Sequence, residues 1–104
     1  MKYDHELKYS YGKDVVKGGV EIYEIKPADP EAHNYEELCH YKYAFDDPFH
    51  EGEKIYSWRI KEFKWARIEG IAQLNNLWDM LDRGIKENDD EYIEWKKYVT
   101  RYIR

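Results

Sequence analysis

Between residues 60 and 85 the sequence repeats at the helical period: Ile60, Phe63, Arg67, Ile71, Leu74, Trp78, Leu81 and Ile85 fall three or four apart, all apolar except Arg67. A pattern held for about seven turns excludes a strand of ordinary length, so a helix is expected from about residue 60 to 83. Trp65, Ile68 and Ala72 widen its apolar side, which predicts one face on a sheet and another on a neighbouring helix. Gly70 inside it costs about 1 kcal/mol relative to alanine and marks a place of close packing. At the front end, Tyr56, Trp58 and Ile60 alternate, so "KIYSWRI" (54–60) also reads as a short strand leading into the helix.

What stops the helix is written in "DRGIKENDDEYIEWKKY". Gly84 stands where a helix would end, and Asn88 or Asp89 can accept bonds from the first free amides of a second helix. Asp90 and Glu91 suit the positive end of that helix's dipole. Tyr92, Trp95, Val99 and Tyr102 then recur at three and four, while Lys96, Lys97, Arg101 and Arg104 load its other side and its end. An antiparallel helical hairpin over residues 60–104, joined by a loop of about five residues, follows.

The other half of the chain reads differently. "YDHELKYSY" and "GVEIYEI" are rich in Tyr, Val and Ile, and the second alternates Val20, Ile22 and Glu24 against Glu21, Tyr23 and Ile25. Gly12, Gly18 and Gly19 between them suit a hairpin; without a following Lys-Ser/Thr pair they do not form a phosphate-binding loop. Pro27 and Pro30 open a loop that leads into one helical turn at Tyr35 to Leu38. "HYKYAF" (40–45) sets Tyr41, Tyr43 and Phe45 on one face and His40, Lys42 and Ala44 on the other, a third strand ended by the turn "DDPFHEGE". The expected fold is α+β, a small N-terminal antiparallel sheet of three or four strands packed against the C-terminal helical hairpin, one domain over 1–104.

Composition narrows the function classes. The 104 residues suffice for one core, and 17% aromatic content, with eleven Tyr and four Trp, separates the chain from disordered sequences despite 38% charged residues. The lone Cys39 rules out an intramolecular disulfide. The N-terminal residues lack the apolar run of a signal peptide, and no stretch approaches the roughly 18 apolar residues of a membrane span, so a cytoplasmic location and no membrane partner are expected. Residues 1–53 carry 13 acids against 6 bases, and residues 54–104 carry 9 against 11. The acidic half is either ordinary solvated surface or a face for a basic partner; direct nucleic-acid binding, which needs a basic footprint, is not expected.

Specific chemistry is sparse. Cys39, Asp47 and His50 could converge on a metal around the third strand and its turn, but no paired-ligand spacing occurs and neither metal nor cofactor is expected. "ENDDE" lacks the alternating acids and central glycine of a calcium loop. The adjacent pairs Glu36-Glu37 and Asp46-Asp47 point apart on a regular element, and Ser10, Ser57 and Cys39 lack the setting that activates a nucleophile, so no catalytic residue is assigned and an enzyme is not expected. The informative excess is tyrosine. So many rings cannot all be buried in a small core, and rigid rings beside acids suit a protein interface as well as they cover a thin sheet. Candidate partner-binding residues are Tyr9, Tyr11, Tyr23 and Tyr41 with Glu21, Glu24, Glu36, Glu37, Asp46 and Asp47.

Residues 64–104 resemble the final segment of tail fibre assembly proteins of tailed bacteriophages. The resemblance is carried by "AQLNNLWDMLDRGI", the Asp82-Arg83-Gly84-Ile85 turn, the Asp89-Asp90-Glu91 cap, Trp95-Lys96-Lys97-Tyr98, and Arg101 with Ile103. It implies a non-enzymatic phage protein, in the cytoplasm of a bacterial host, that grips a folding fibre or another virion component. The alternative expectation is a small acidic inhibitor of a host nucleic-acid-binding defence system, of the anti-CRISPR or anti-restriction kind, with its acids clustered on one face. Either way a protein partner is expected, and self-association stays open.

Overall fold

The computed structural model describes residues 3–12, 17–28, 31, 40–57 and 60–100. Four antiparallel strands, β1 (Tyr3–Tyr11), β2 (Val20–Pro27), β3 (His40–Asp46) and β4 (Lys54–Tyr56), form one sheet in the order β1-β2-β3-β4. Two helices follow, α1 (Phe63–Asp82) and α2 (Asp90–Val99). The architecture is α+β, as the periodicities predict. The expected helical turn at Tyr35 to Leu38, and the continuation of the second helix to Arg104, lie outside the described residues.

The β1–β2 hairpin turns through Gly18 and Gly19, at φ +91° and +75°. Just before these glycines the chain is held by α1: Trp78 Nε1 donates to the Lys17 carbonyl at 2.8 Å, and the Lys17 ammonium lies 4.1 Å from the Trp78 ring centroid. A bulge at Lys8 shifts the β1–β2 register between Leu7 and Tyr9. From the register, one face of the sheet carries Tyr9, Tyr11, Val20, Ile22, Tyr41, Tyr43, Phe45 and Ile55, and this face lies under α1. The alternation of Tyr41, Tyr43 and Phe45 is therefore the core face, as expected. Ile25 and Ala44, on the opposite face by the same register, are also buried.

The entry to α1 corrects the sequence reading. Ile60 is part of the sheet, exchanging backbone hydrogen bonds with Tyr41, and the helix begins three residues later behind Glu62, whose backbone is extended at φ −123°. Backbone groups committed to the sheet cannot also start a helix. Beyond β4, Ser57 stays beside β3: its amide donates to the Tyr43 carbonyl, and its hydroxyl accepts the Tyr43 amide at 3.0 Å.

A second correction concerns which side of α1 is inside. Its buried line is Ala66, Gly70, Gln73, Leu74, Leu77 and Met80, whereas Phe63, Ile71, Trp78 and Leu81 are only half-buried and Arg67 is exposed, its guanidinium over the Tyr11 ring. The stripe is rotated by roughly one residue's step, ~100°, from the one traced by large apolar side chains. The reason is proximity. A Cβ added at Gly70 would lie 2.9 Å from Val20 Cγ1 and 3.0 Å from Tyr43 Cγ, so helix and sheet approach closely where the sequence has its smallest residues. Trp65, Ile68 and Ala72, expected against a second helix, are exposed instead; Trp65 keeps 58% of its surface.

α1 ends in a Schellman arrangement. The Ile85 amide donates to the Met80 carbonyl and the Gly84 amide to that of Leu81, with Gly84 at φ +80°, a conformation glycine adopts without strain. The chain then folds back: Arg83 forks onto Glu91 at 2.7 and 3.1 Å, Trp95 Nε1 donates to Gln73 Oε1 at 2.8 Å, and Tyr98 OH reaches Glu69 at 3.5 Å. As positions in α2 rise those in α1 fall, so the pair is an antiparallel hairpin. Asp89 precedes α2 as expected, but its carboxylate accepts the Lys86 amide at 2.7 Å, closing the loop behind it rather than capping the helix ahead. α2 also leans on β3, where Phe45 and Trp95 rings lie 6.4 Å apart, and on the turn after it, where Phe49 and Tyr92 rings lie 4.6 Å apart.

Candidate protein-binding surface

The sheet face turned away from α1 carries the alternate residues of each strand: Leu7 and Ser10 from β1, Glu21 and Tyr23 from β2, Lys42 and Ala44 from β3, Lys54 and Tyr56 from β4. At its centre the Lys42 ammonium lies 5.4 Å from the Tyr23 ring centroid and 5.0 Å from that of Tyr56. It makes no ion pair among the described residues, and burial lowers its pKa. A partly desolvated ammonium between two ring faces is held by cation–π attraction and has a counter-charge still to gain. Tyr56 and Leu7, to either side, are 47% and 50% exposed.

Beside this cation lies a closed polar cluster. Glu21 accepts the Tyr23 hydroxyl at 2.6 Å and the Lys54 ammonium at 3.0 Å, and these two bonds, the tyrosine's first, lower its pKa. The same contacts raise those of Tyr23 and Lys54. Tyr23 is thus pinned at both ends, its hydroxyl by Glu21 and its ring by Lys42, which removes most of the rotamer entropy that binding would otherwise cost.

The residues singled out from the sequence do not share one surface. Glu21 and Tyr23 lie on the outer face; Tyr9, Tyr11, Tyr41 and Glu24 belong to the face under the helix. Tyr11 is in the core and half-buried Tyr41 packs edge-on to Phe63, with ring centroids 5.5 Å apart; Tyr9 is half-exposed, its ring 4.3 Å from that of Tyr11. Asp46 is exposed near Lys54, whereas Asp47 is buried, accepting the Phe49 amide at 2.9 Å and the Tyr92 hydroxyl at 2.9 Å. Burial first, and then the bond to Asp47, raise the pKa of Tyr92. Glu24 lies between Lys8 and Lys26 at 2.9 and 3.3 Å; burial pushes its pKa up, and the two lysines together outweigh that and bring it down. Glu36 and Glu37 lie outside the described residues. Glu21 and Glu24, expected together on one acidic face, lie on opposite faces of the sheet, and each is matched by lysine.

The sequence reading passed over Lys42, Tyr56 and Leu7. The signal was present for the first: alternation in "HYKYAF" already placed Lys42 opposite the core tyrosines. The two residues suggested with Cys39 for a metal have other partners: Asp47 those above, and His50 the Glu87 carboxylate at 2.9 Å, while Cys39 lies outside the described residues. Among the described residues no three His, Cys, Asp or Glu side chains group as a metal site would require, and no helix is long and apolar enough to cross a membrane. No protein-family model matches the chain, and searches of curated proteins and of solved structures returned no match.

Proposed function

We propose that this chain is a non-enzymatic protein-binding accessory that grips its partner with the outer face of the sheet, and that the partner is a tail fibre or another virion component awaiting assembly. The observation that carries the binding surface is Lys42, unpaired with any carboxylate among the described residues and framed by Tyr23 and the half-exposed Tyr56. Rigid tyrosines around a partly desolvated cation have the composition of an interface anchor, and a carboxylate on the partner would supply the missing charge. The assembly role rests on the resemblance of residues 64–104 to tail fibre assembly proteins, whose Gly84 turn and Trp95 segment here fold as a hairpin.

The test is co-expression with the fibre protein of the same genome. The expected outcome is more soluble, correctly oligomerised fibre with the wild-type chain, and loss of that gain with Lys42→Ala/Tyr56→Ala. Fibre that matures equally well without the chain would overturn the assembly role.

A further inference from the structure

The exposed side of α1 has a pattern that neither the core nor the sheet face uses. Trp65, Ile68, Ala72, Asn75 and Asp79 follow one another along α1 at steps of three and four, the spacing of a helix-pairing seam, and all five are exposed, as is Lys61, which lies just before the helix. α2 does not cover them, since it docks along Glu69 and Gln73. Trp65 and Ile68, 58% and 45% exposed, are the apolar centre of this line, and half-exposed Tyr98 reaches Glu69 beside it.

The charges along the seam run against the helix's own dipole. Lys61 and Lys64 stand at the N-terminal end and Asp79 and Asp82 at the C-terminal end; the first turn has no acid and the last turn no base. Arg83, just past the end, takes one oxygen of Asp79, and Glu62 stands between the two lysines. Lys61, Lys64 and Asp82 make no ion pair among the described residues.

We infer that this seam is the interface of a homodimer in which two α1 helices pack antiparallel about a two-fold axis that crosses the seam at the level of Gly70, on the side of the helix away from the sheet. The sequence is self-complementary about that point. Lys61 meets Asp79 of the second copy, Trp65 meets Asn75, and Ile68 fills the space left over Ala72. Each pair occurs twice, as two-fold symmetry requires. Antiparallel pairing also sets the positive dipole end and lysines of one helix beside the negative end and aspartates of the other, relieving an arrangement unfavourable in the isolated helix. The two sheets then lie on the outside of a sheet–helix–helix–sheet stack, both outer faces remaining open. The inference is independent of what those faces bind.

Analytical ultracentrifugation of the full chain over a range of concentrations tests it, with circular dichroism confirming that each variant is folded. The wild-type chain is expected to dimerise and Trp65→Ser/Ile68→Ser to stay monomeric. Lys61→Asp and Asp79→Lys, each placing like charges together at both ends of the seam, are each expected to weaken self-association by about tenfold. Mixed, the two variants are expected to form a heterodimer of near wild-type affinity, because both ends then regain opposite charges. A wild-type monomer at every concentration overturns the inference. A dimer indifferent to Trp65 and Ile68 overturns it, as does a mixture no tighter than the separate variants. Monomers that capture the fibre protein through Trp65 give the seam to that partner and overturn it too.

Discussion

At Gly70 α1 lies close against the sheet, and Gly70→Ala sets two effects of opposite sign against each other. Alanine favours helix by about 1 kcal/mol over glycine, so at an exposed position the change would stabilise. Here the new methyl would lie 2.9 Å from Val20 Cγ1, 3.0 Å from Tyr43 Cγ and 3.1 Å from Tyr43 Cβ, against an ordinary carbon–carbon separation of about 3.5–4.0 Å. Val20 and Tyr43 are both fully buried, and the atoms involved are close to their backbones, so they cannot swing aside. Relief requires α1 to lift off the sheet, loosening Leu74 and Leu77. Overpacking of this kind costs about 1–3 kcal/mol. With three near-rigid contacts the upper end applies, leaving a net loss of about 2 kcal/mol after the helix gain, or roughly 8 °C in Tm for a domain of this size. Thermal and urea unfolding, followed by tryptophan fluorescence at fixed protein concentration, measure it. In a double-mutant cycle Val20→Ala removes the nearest obstructing atom, so the pair is expected to lose less than the sum of the single changes. Unchanged or raised stability in Gly70→Ala, or strict additivity in the cycle, would refute the close approach.

Four further outcomes follow from the same structure. Tyr92→Phe removes the buried donor to Asp47, and a loss of about 1–2 kcal/mol in urea unfolding is expected; Asp47→Ala, which also strips the Phe49 amide of its acceptor, is expected to lose more. The Tyr43 hydroxyl is buried without a hydrogen-bond partner among the described residues, so Tyr43→Phe is expected to keep or raise stability, by up to about 1 kcal/mol in the same assay. Gly84→Ala must hold φ +80° with a side chain, at a cost of about 1 kcal/mol, although no described residue within 4 Å opposes the methyl itself. Glu21 and Glu24 both have pKa values lowered below the ordinary 4.5, so the stability they contribute is present above that pH and is lost as pH falls through their lower folded values. Acid titration of Glu21→Gln/Glu24→Gln should accordingly show a shallower loss below pH 4.5 than the wild-type chain.

The parts of this structure legible in the sequence are those governed by a local period or a local turn. Alternation placed Tyr41, Tyr43 and Phe45 on the core face, and Gly84 marked the break between the helices. Side-chain size misled where packing is closest: large residues suggested the inner stripe of α1, whereas contact with the sheet selects Ala66 and Gly70, which a hydrophobicity pattern weighs lightly. The helix start was misplaced because Ile60 fits the helical period and the strand period equally, and only its pairing with Tyr41 decides between them. The role of Asp47 was hidden for a related reason. Its partner Tyr92 lies 45 positions away, and no local pattern distinguishes a buried acceptor from the exposed acid beside it. On the outer face, acids and tyrosines drew attention by abundance, while Lys42 is conspicuous only once the rings on either side are known.

The most direct test of the proposed binding surface is a titration of the proposed partner, the purified fibre protein of the same genome, against the wild-type chain and against Lys42→Ala, Tyr56→Ala and Trp65→Ser. Affinity should fall at least tenfold for each of the first two, consistent with anchor residues, and should hold for Trp65→Ser, on the opposite side of the molecule. Equal affinity across Lys42 and Tyr56, or a loss confined to Trp65, would contradict the assignment of the outer sheet face as the gripping surface.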